Sequence, residues 1–303
     1  MTDKKATRTR RRLFKRQKTN LPPLALTTRD LRILELLDEY RFLNTPQIQA
    51  LVGGSTHNVS DRLLRLFQHA YLDRPSHQRE LRTDGYRHLV HALSQHGAAV
   101  LSERLGDERY VSRHLAENNK TAKRIHLAHT LMLSQFRTCL TLACRNRADL
   151  TLASWETPER ALIRILIDGH HVPVIPDAYF TLKDSDGHTA HFYLEADRGT
   201  MTQKRFLRKL QAYWRFRHLD SELLFPPSFR VLTITRSQER MENLVVTATD
   251  ADSKRKGSLM FYFACEDAYD LDHPEATLDA IWRSPADNEM HSLLEGKRSS
   301  QHS

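Results

Sequence analysis

The chain has 303 residues, is 40% hydrophobic and carries a formal net charge of +9. Its length and apolar content suffice for two packed domains, and no run approaches the ~18 apolar residues that would span a bilayer. The three cysteines, Cys139, Cys144 and Cys265, show neither zinc-ligand spacing nor a disulfide pattern, which excludes a stapled secreted scaffold and fits a reducing cytoplasm.

The charge is unevenly spread. Residues 1–19 hold nine basic side chains (Lys4, Lys5, Arg8, Arg10, Arg11, Arg12, Lys15, Arg16 and Lys18) against Asp3 alone, so this block carries +8 and the rest of the chain +1. Such a block should be disordered when free and adhere to polyanions, with an affinity that falls steeply with salt. It has no apolar helical face and no secretory apolar core, which argues against a presequence or signal peptide. Paired prolines at 22 and 23 favour extended chain and end the tail, taken as residues 1–24.

Thr28 then opens a helix with Leu31, Leu34, Leu37 and Phe42 as its apolar positions. A short helix follows over residues 46–52, capped by Asn44 or Thr45 with Pro46 in its first turn, and Gly53-Gly54 makes a turn. Ser55 or Thr56 caps a third helix to about residue 70. Its apolar stripe is Val59, Leu63, Leu66, Phe67 and Ala70, and its polar face carries His57, Asn58, Asp61, Arg62, Arg65 and Gln68. Asp84-Gly85 favours a tight hairpin, and residues 86–93 with Ser94 read as a second wing strand and the start of another helix.

This order reads as a winged helix-turn-helix over residues 25–112. In that arrangement Asn58 and Arg62 would reach base edges in the major groove of double-stranded DNA, and Arg65, Arg79, Arg82 and Arg87 would contact phosphates. Such readers frequently pair on symmetric sites, which leaves a homodimer open.

Residues 116–146 suggest one long helix. Strands are expected over 150–154, 160–167, 174–182 and 191–196, then a helix over 202–219, a strand over 229–235, a helix over 238–247 and a strand over 259–264. A helical segment around Ile281-Trp282 follows, and residues 286–303 read as a flexible tail. Periodicity alone licenses a three-layer α/β unit over residues 113–285.

Two of these strands carry acid where a buried strand should be apolar. Asp177 follows Pro176, and Glu195 and Asp197 end VIPDAYFTL's partner run HFYLEAD, where alternation sets both on one face and Ala196 on the other. Buried carboxylates cost several kcal/mol or so unless compensated, so three of them converging ask for a metal ion or a cation. Lys204 and Lys209 follow on the next helix, and Tyr179 and Tyr213 read as packing residues.

PDAYF, LEADRGT and RKLQAYW together resemble the replication-relaxation family of bacterial plasmids and mobile elements, and the Asp–Glu pair on neighbouring strands resembles a PD-(D/E)XK nuclease core. The resemblance implies a helix–three strands–helix–strand core and an Asp177–Glu195 pair holding Mg²⁺ or Mn²⁺. It also implies a catalytic set of Asp177, Glu195, Asp197 and Lys209. The nuclease pattern wants Lys two residues after the Glu; Asp197 stands there, and Lys209 would replace it, with Asp197 on the metal or pinning Lys209.

The expected architecture is therefore mixed α+β / α/β, a winged helix-turn-helix followed by a PD-(D/E)XK nuclease-like domain. The function implied is DNA binding in plasmid replication or mobilisation, with metal-dependent nicking or relaxation of DNA. The competing expectation is a non-catalytic regulator whose second domain serves dimerisation or docking. No Gly-rich phosphate loop or nucleophile elbow supports a metabolic α/β enzyme, and no small-molecule cofactor is implied.

Overall fold

The computed structural model describes residues 14–17, 21–81, 88–106, 115–167, 170–218, 226, 228–252, 254 and 256–294. The expected Asp84-Gly85 hairpin, Arg82 and Arg87 lie outside the described residues. The chain divides into two compact units, Met1–Leu131 and Met132–Ser303. No described helix is long and apolar enough to cross a membrane.

The first unit begins with α1 (Thr28–Tyr40). Its cap is Thr27, one residue earlier than the sequence suggests, because Asp30 completes a capping box there and returns a bond to the Thr27 amide. After β1 (Leu43–Asn44), Asn44 caps α2 (Thr45–Val52) through a second box with Gln47. Gly53 and Gly54 both have positive φ, the turn geometry glycine adopts most readily, and Ser55 caps α3 (Thr56–Gln68).

The α3 stripe is buried as its spacing requires: Val59, Leu63, Leu66 and Phe67 pack on Leu34 and Leu37 of α1 and Ile48 of α2. β2 (Leu72–Asp73), α4 (Gln78–Leu81) and β3 (Val90–Leu93) follow, and β3 lies antiparallel between β1 and β2. Ser94 caps α5 (Gln95–Leu105). The expected long helix is two, α6 (Leu115–Thr121) and α7 (Arg124–Arg145), with a break at Ala122-Lys123.

Part of the tail expected to be disordered is docked. Arg16 donates to the Phe67 and Leu72 carbonyls and to Asp73, and Leu24 packs against the first unit's core.

The second unit is built on a seven-stranded mixed sheet. Its strands are β4 (Leu150–Glu156), β7 (Ala178–Asp184), β8 (Thr189–Asp197), β9 (Arg230–Thr235), β10 (Phe261–Cys265), β11 (Trp282–Arg283) and β12 (Met290–His291), in spatial order β12-β11-β10-β9-β8-β7-β4. β8, β9 and β10 are mutually parallel, joined through α8 (Gln203–Arg217) and α9 (Gln238–Thr249), and β4, β7 and β8 pair antiparallel. The hairpin β5 (Ile163–Ile167) and β6 (His170–Val174) is inserted between β4 and β7.

Period-two alternation divides the core. Phe180, Phe192 and Leu194 face Phe136 and Leu140 of α7, whereas Tyr193 and Val231 face Phe206 and Leu210 of α8 and Leu244 of α9.

Two sequence expectations are corrected here. The run 174–182 is not one strand, since Pro176 has no amide to continue a ladder, and the chain leaves β6 at Val174 and enters β7 at Ala178. Trp282 is not helical; it lies in β11, fully buried, with its indole N–H donating to the Thr277 carbonyl at 3.1 Å.

Candidate functional site

Asp177 sits in the gap that Pro176 creates. Its amide bonds the Leu194 carbonyl at 2.9 Å and its Oδ2 accepts from the Ala196 amide at 2.8 Å, so the carboxylate is clamped to the end of β8. Glu195, on β8, is 4% exposed. One of its oxygens accepts from Lys209 Nζ and the other from the Tyr213 hydroxyl at 2.6 Å.

Lys209 and Tyr213 are four residues apart on α8, hence neighbours on one helix face. Lys204 is exposed, which resolves the choice between the two lysines in favour of Lys209. Tyr213, expected only to pack, is fully buried and spends its hydroxyl on Glu195, so that expectation is corrected. Tyr179 is likewise bonded, to His191 Nδ1 at 2.6 Å.

Burial pushes the Glu195 carboxyl up to about 7, with the neighbouring Asp177 adding to the rise and Lys209 and Tyr213 opposing it. The Tyr213 hydroxyl is raised well above its ordinary value by burial and by Glu195, so it stays a donor. A carboxylate that burial resists ionising, beside a second carboxylate and one ammonium, is a pocket that an added positive charge would relieve.

Asp197 does share a face with Glu195, but it does not join this cluster. Its Oδ2 accepts from Arg240 of α9 at 2.7 Å, and its Oδ1 from the Gly199 amide. The same Arg240 nitrogen donates to the Met201 carbonyl at 2.7 Å, tying the turn after β8 to α9. Gly199 has φ +80, which permits that turn. The expectation that Asp197 pins Lys209 is thus corrected: Arg240, 43 residues away, holds it instead. Among the described residues the three acids form no group close enough to ligate one ion; the group that does is Asp184, Asp186 and His188 at the β7–β8 turn, with Asp186 and His188 exposed.

Asp177 and Glu195 lie at the same end of β8, Glu195 on the strand and Asp177 bonded to its Ala196 amide. Both offer hard oxygen donors of the kind Mg²⁺ and Mn²⁺ take. A further observation favours an unfilled polar need here. Thr233 on β9 is in register with Glu195, is fully buried, and its hydroxyl has no partner among the described residues. Buried hydroxyls without partners are uncommon, and this one lies beside the acids.

In the first unit the candidate DNA-contacting residues separate. Asn58 and Arg65 are exposed on α3, and Arg79 is exposed on α4, where its guanidinium lies 4.4 Å from the Phe14 ring centre. Arg62 is different. Its Nε donates to Asp30 at 2.7 Å, a second nitrogen pairs with the same carboxylate, and that nitrogen also donates to the Ala25 carbonyl at 2.8 Å. Asp30 is fully buried. The base-reading role expected of Arg62 is therefore corrected to that of an internal counter-ion. Burial works to raise the Asp30 carboxyl, but bonds from Arg62 and Thr27 outweigh it and hold it below the usual carboxylate range.

No curated protein and no solved structure matches the chain closely enough to add to this. The model of the replication-relaxation family matches residues 34–223, which run from α1 through the second unit's acids, Lys209 and Tyr213. That span is more than half of the sequence, and the chain belongs to the replication-relaxation family.

Proposed function

We propose that the chain is a DNA-binding protein of plasmid or mobile-element replication or mobilisation, acting in the bacterial cytoplasm, and that its second unit nicks DNA with the help of a divalent metal. The observation that carries this is a pair of acids at the end of β8 with a cation: Glu195 on β8 is bonded to Lys209 of the next helix, and Asp177, just before β7, accepts from the amide of Ala196, the residue after Glu195.

A nuclease-like core is supported by the order α7, β4, β7, β8, α8, β9, with the β5–β6 hairpin as an insertion. A winged-helix reading of the first unit is supported by the order α1, β1, α2, α3, β2, β3 and by the three-stranded sheet β1-β3-β2. In that reading Asn58 and Arg65 line the groove-facing side of α3, Arg79 lies at its flank, and Arg82 and Arg87 remain candidates for phosphate contact.

A divalent cation bound by Asp177 and Glu195 would supply charge stabilisation at the scissile phosphate and a more acidic water. The protein's own groups do the rest. Tyr213 fixes the Glu195 carboxylate from one side, and Lys209 is held by it from the other. From there the Lys209 ammonium donates to the attacking water or to a phosphate oxygen. Arg205 and Arg208, exposed on the same helix, attract the backbone. The Asp197–Arg240 pair braces the turn that sets the direction of α8.

One observation favours the non-catalytic alternative, in which this unit is a docking or dimerisation scaffold. Both Glu195 oxygens and both Asp197 oxygens are already engaged within the chain. Incubation of supercoiled plasmid with Mg²⁺ or Mn²⁺ separates the two. The proposal expects nicked circles from the wild type and a loss on the order of a hundredfold or more in Asp177→Asn, with DNA binding retained. Binding without any nicking by the wild type leaves only the alternative.

A further inference from the structure

We infer that the second unit carries a ligand site separate from the acids, a cleft where β8, β9 and β10 begin. It takes one nucleotide, with the phosphate on Arg217 and Arg230 and the unstacked base on Trp214. This goes beyond the nicking proposed above and stands whether or not that reaction occurs.

The cleft has a volume of about 590 Å³, within the range of small-molecule sites. Its walls come from places that the topology brings together. β8 contributes Phe192, β9 contributes Arg230, the segment before β10 contributes Met260, and the end of α8 contributes Trp214 and Arg217. Parallel pairing sets Phe192 beside Arg230 and Val231 beside Phe261, so the three strands start side by side. The acids lie elsewhere on β8. Glu195 is four residues beyond His191 of the cleft, about 13 Å along the strand, with the buried Tyr193 between them.

Charge selects the sign of the ligand. Among the described residues lining the cleft none is Asp or Glu, whereas Arg217 and Arg230 carry fixed positive charge in forks that suit a phosphate. Each guanidinium lies against a ring, Arg217 5.8 Å from the centre of Phe229 and Arg230 5.0 Å from that of Tyr262. Such contacts position a cation without neutralising it. His188, also on the wall, is paired with Asp184 at 3.4 Å and adds no net charge.

The aromatic wall selects the rest of the ligand. Trp214 is half-buried, its ring centre lies 3.9 Å from that of His218, and His218 Nδ1 is 2.8 Å from the Trp214 carbonyl oxygen. The indole is therefore braced at the cleft while keeping exposed surface. A base inside a duplex is stacked on its neighbours and cannot reach such a wall; an unpaired base can. Fixed cations beside an accessible indole thus match a nucleotide that is free or belongs to an unpaired strand.

Calorimetric titration of thymidine 5′-monophosphate into the full chain tests the inference, with a chelator present so that no divalent ion bridges it to the acids. The wild type should bind it at one site. Trp214→Leu should weaken it by roughly tenfold or more and leave the binding of inorganic phosphate unchanged. Arg217→Gln combined with Arg230→Gln should weaken both ligands. Ser228→Glu should do the same by placing a negative charge at an exposed position of the cleft, where no core packing is disturbed. Asp177→Asn should change neither. A short oligothymidylate that displaces the mononucleotide at a lower concentration identifies an unpaired strand as the source, and tighter binding of the mononucleotide identifies the free compound; either upholds the site. No binding at millimolar mononucleotide, or binding that Trp214→Leu and Ser228→Glu both retain, overturns it and leaves the nicking proposal untouched.

Discussion

Arg62→Ala is expected to destabilise the first unit by about 3 kcal/mol near pH 7, measured by urea unfolding followed through helical circular dichroism. The substitution leaves the fully buried Asp30 carboxylate without its cation, retaining only the bonds from Thr27. An arginine that merely faced DNA would cost within about 0.5 kcal/mol of nothing.

The pH dependence has a definite sign. In the wild type the Asp30 carboxyl is lowered, so its contribution is present above the unfolded-state value and is lost as pH falls through the lower folded value. In the variant, burial is no longer outweighed and the carboxyl rises. The gap between the two proteins should therefore narrow as pH drops from 7 toward 4. Asp30→Asn added to Arg62→Ala should restore part of the loss, because the uncompensated charge is then gone.

Glu195→Gln is expected to act in the opposite direction. The folded-state carboxyl at about 7 lies above its ordinary 4.5, so ionising it in the folded protein costs stability, and wild-type stability falls as pH rises from about 4.5 through about 7. Gln at this position removes that cost but also the charge that Lys209 pairs with. The net gain should be on the order of 1–3 kcal/mol at pH 8 and close to nothing at pH 5. Added Mg²⁺ should raise the unfolding midpoint of the wild type at pH 8 and leave Glu195→Gln unmoved, since only a ligand bound to the folded state stabilises it.

These two residues also mark where sequence reasoning succeeds and where it stops. Alternation in the β8 run was enough to put Glu195 and Asp197 on one face, because strand period is a local property. The 3.6-residue stripe of α3 likewise gave its buried side, and the Gly53-Gly54 turn and the Ser55 cap bounded it.

What local pattern could not give is the partner of each charge. Arg62 looked like a solvent-facing reader because its polar neighbours His57, Asn58, Asp61 and Arg65 are exposed; Asp30, 32 residues earlier, turned it inward. Arg240 lies 43 residues beyond Asp197 and reaches it only because parallel pairing brings β9, and α9 after it, alongside β8. Tyr213 was one step from legible: once Lys209 faces the acids, a residue four positions on must do so as well. The Pro176 break and the Trp282 strand are not legible in the sequence because an apolar run does not reveal where a ladder ends.

The departure from the nuclease pattern now has a physical form. The position two residues after Glu195 does not carry the cation; it carries an acid that fixes the following turn through Arg240, while the cation arrives from α8. The central claim is that Asp177 and Glu195 hold one divalent ion next to Lys209. Calorimetric titration of Mn²⁺ at pH 8 into the wild type, Asp177→Asn and Glu195→Gln tests it most directly. The account predicts one ion per chain, with affinity reduced by roughly tenfold or more in each variant. No binding by the wild type, or binding that both variants retain and that Asp184→Asn abolishes, would contradict it.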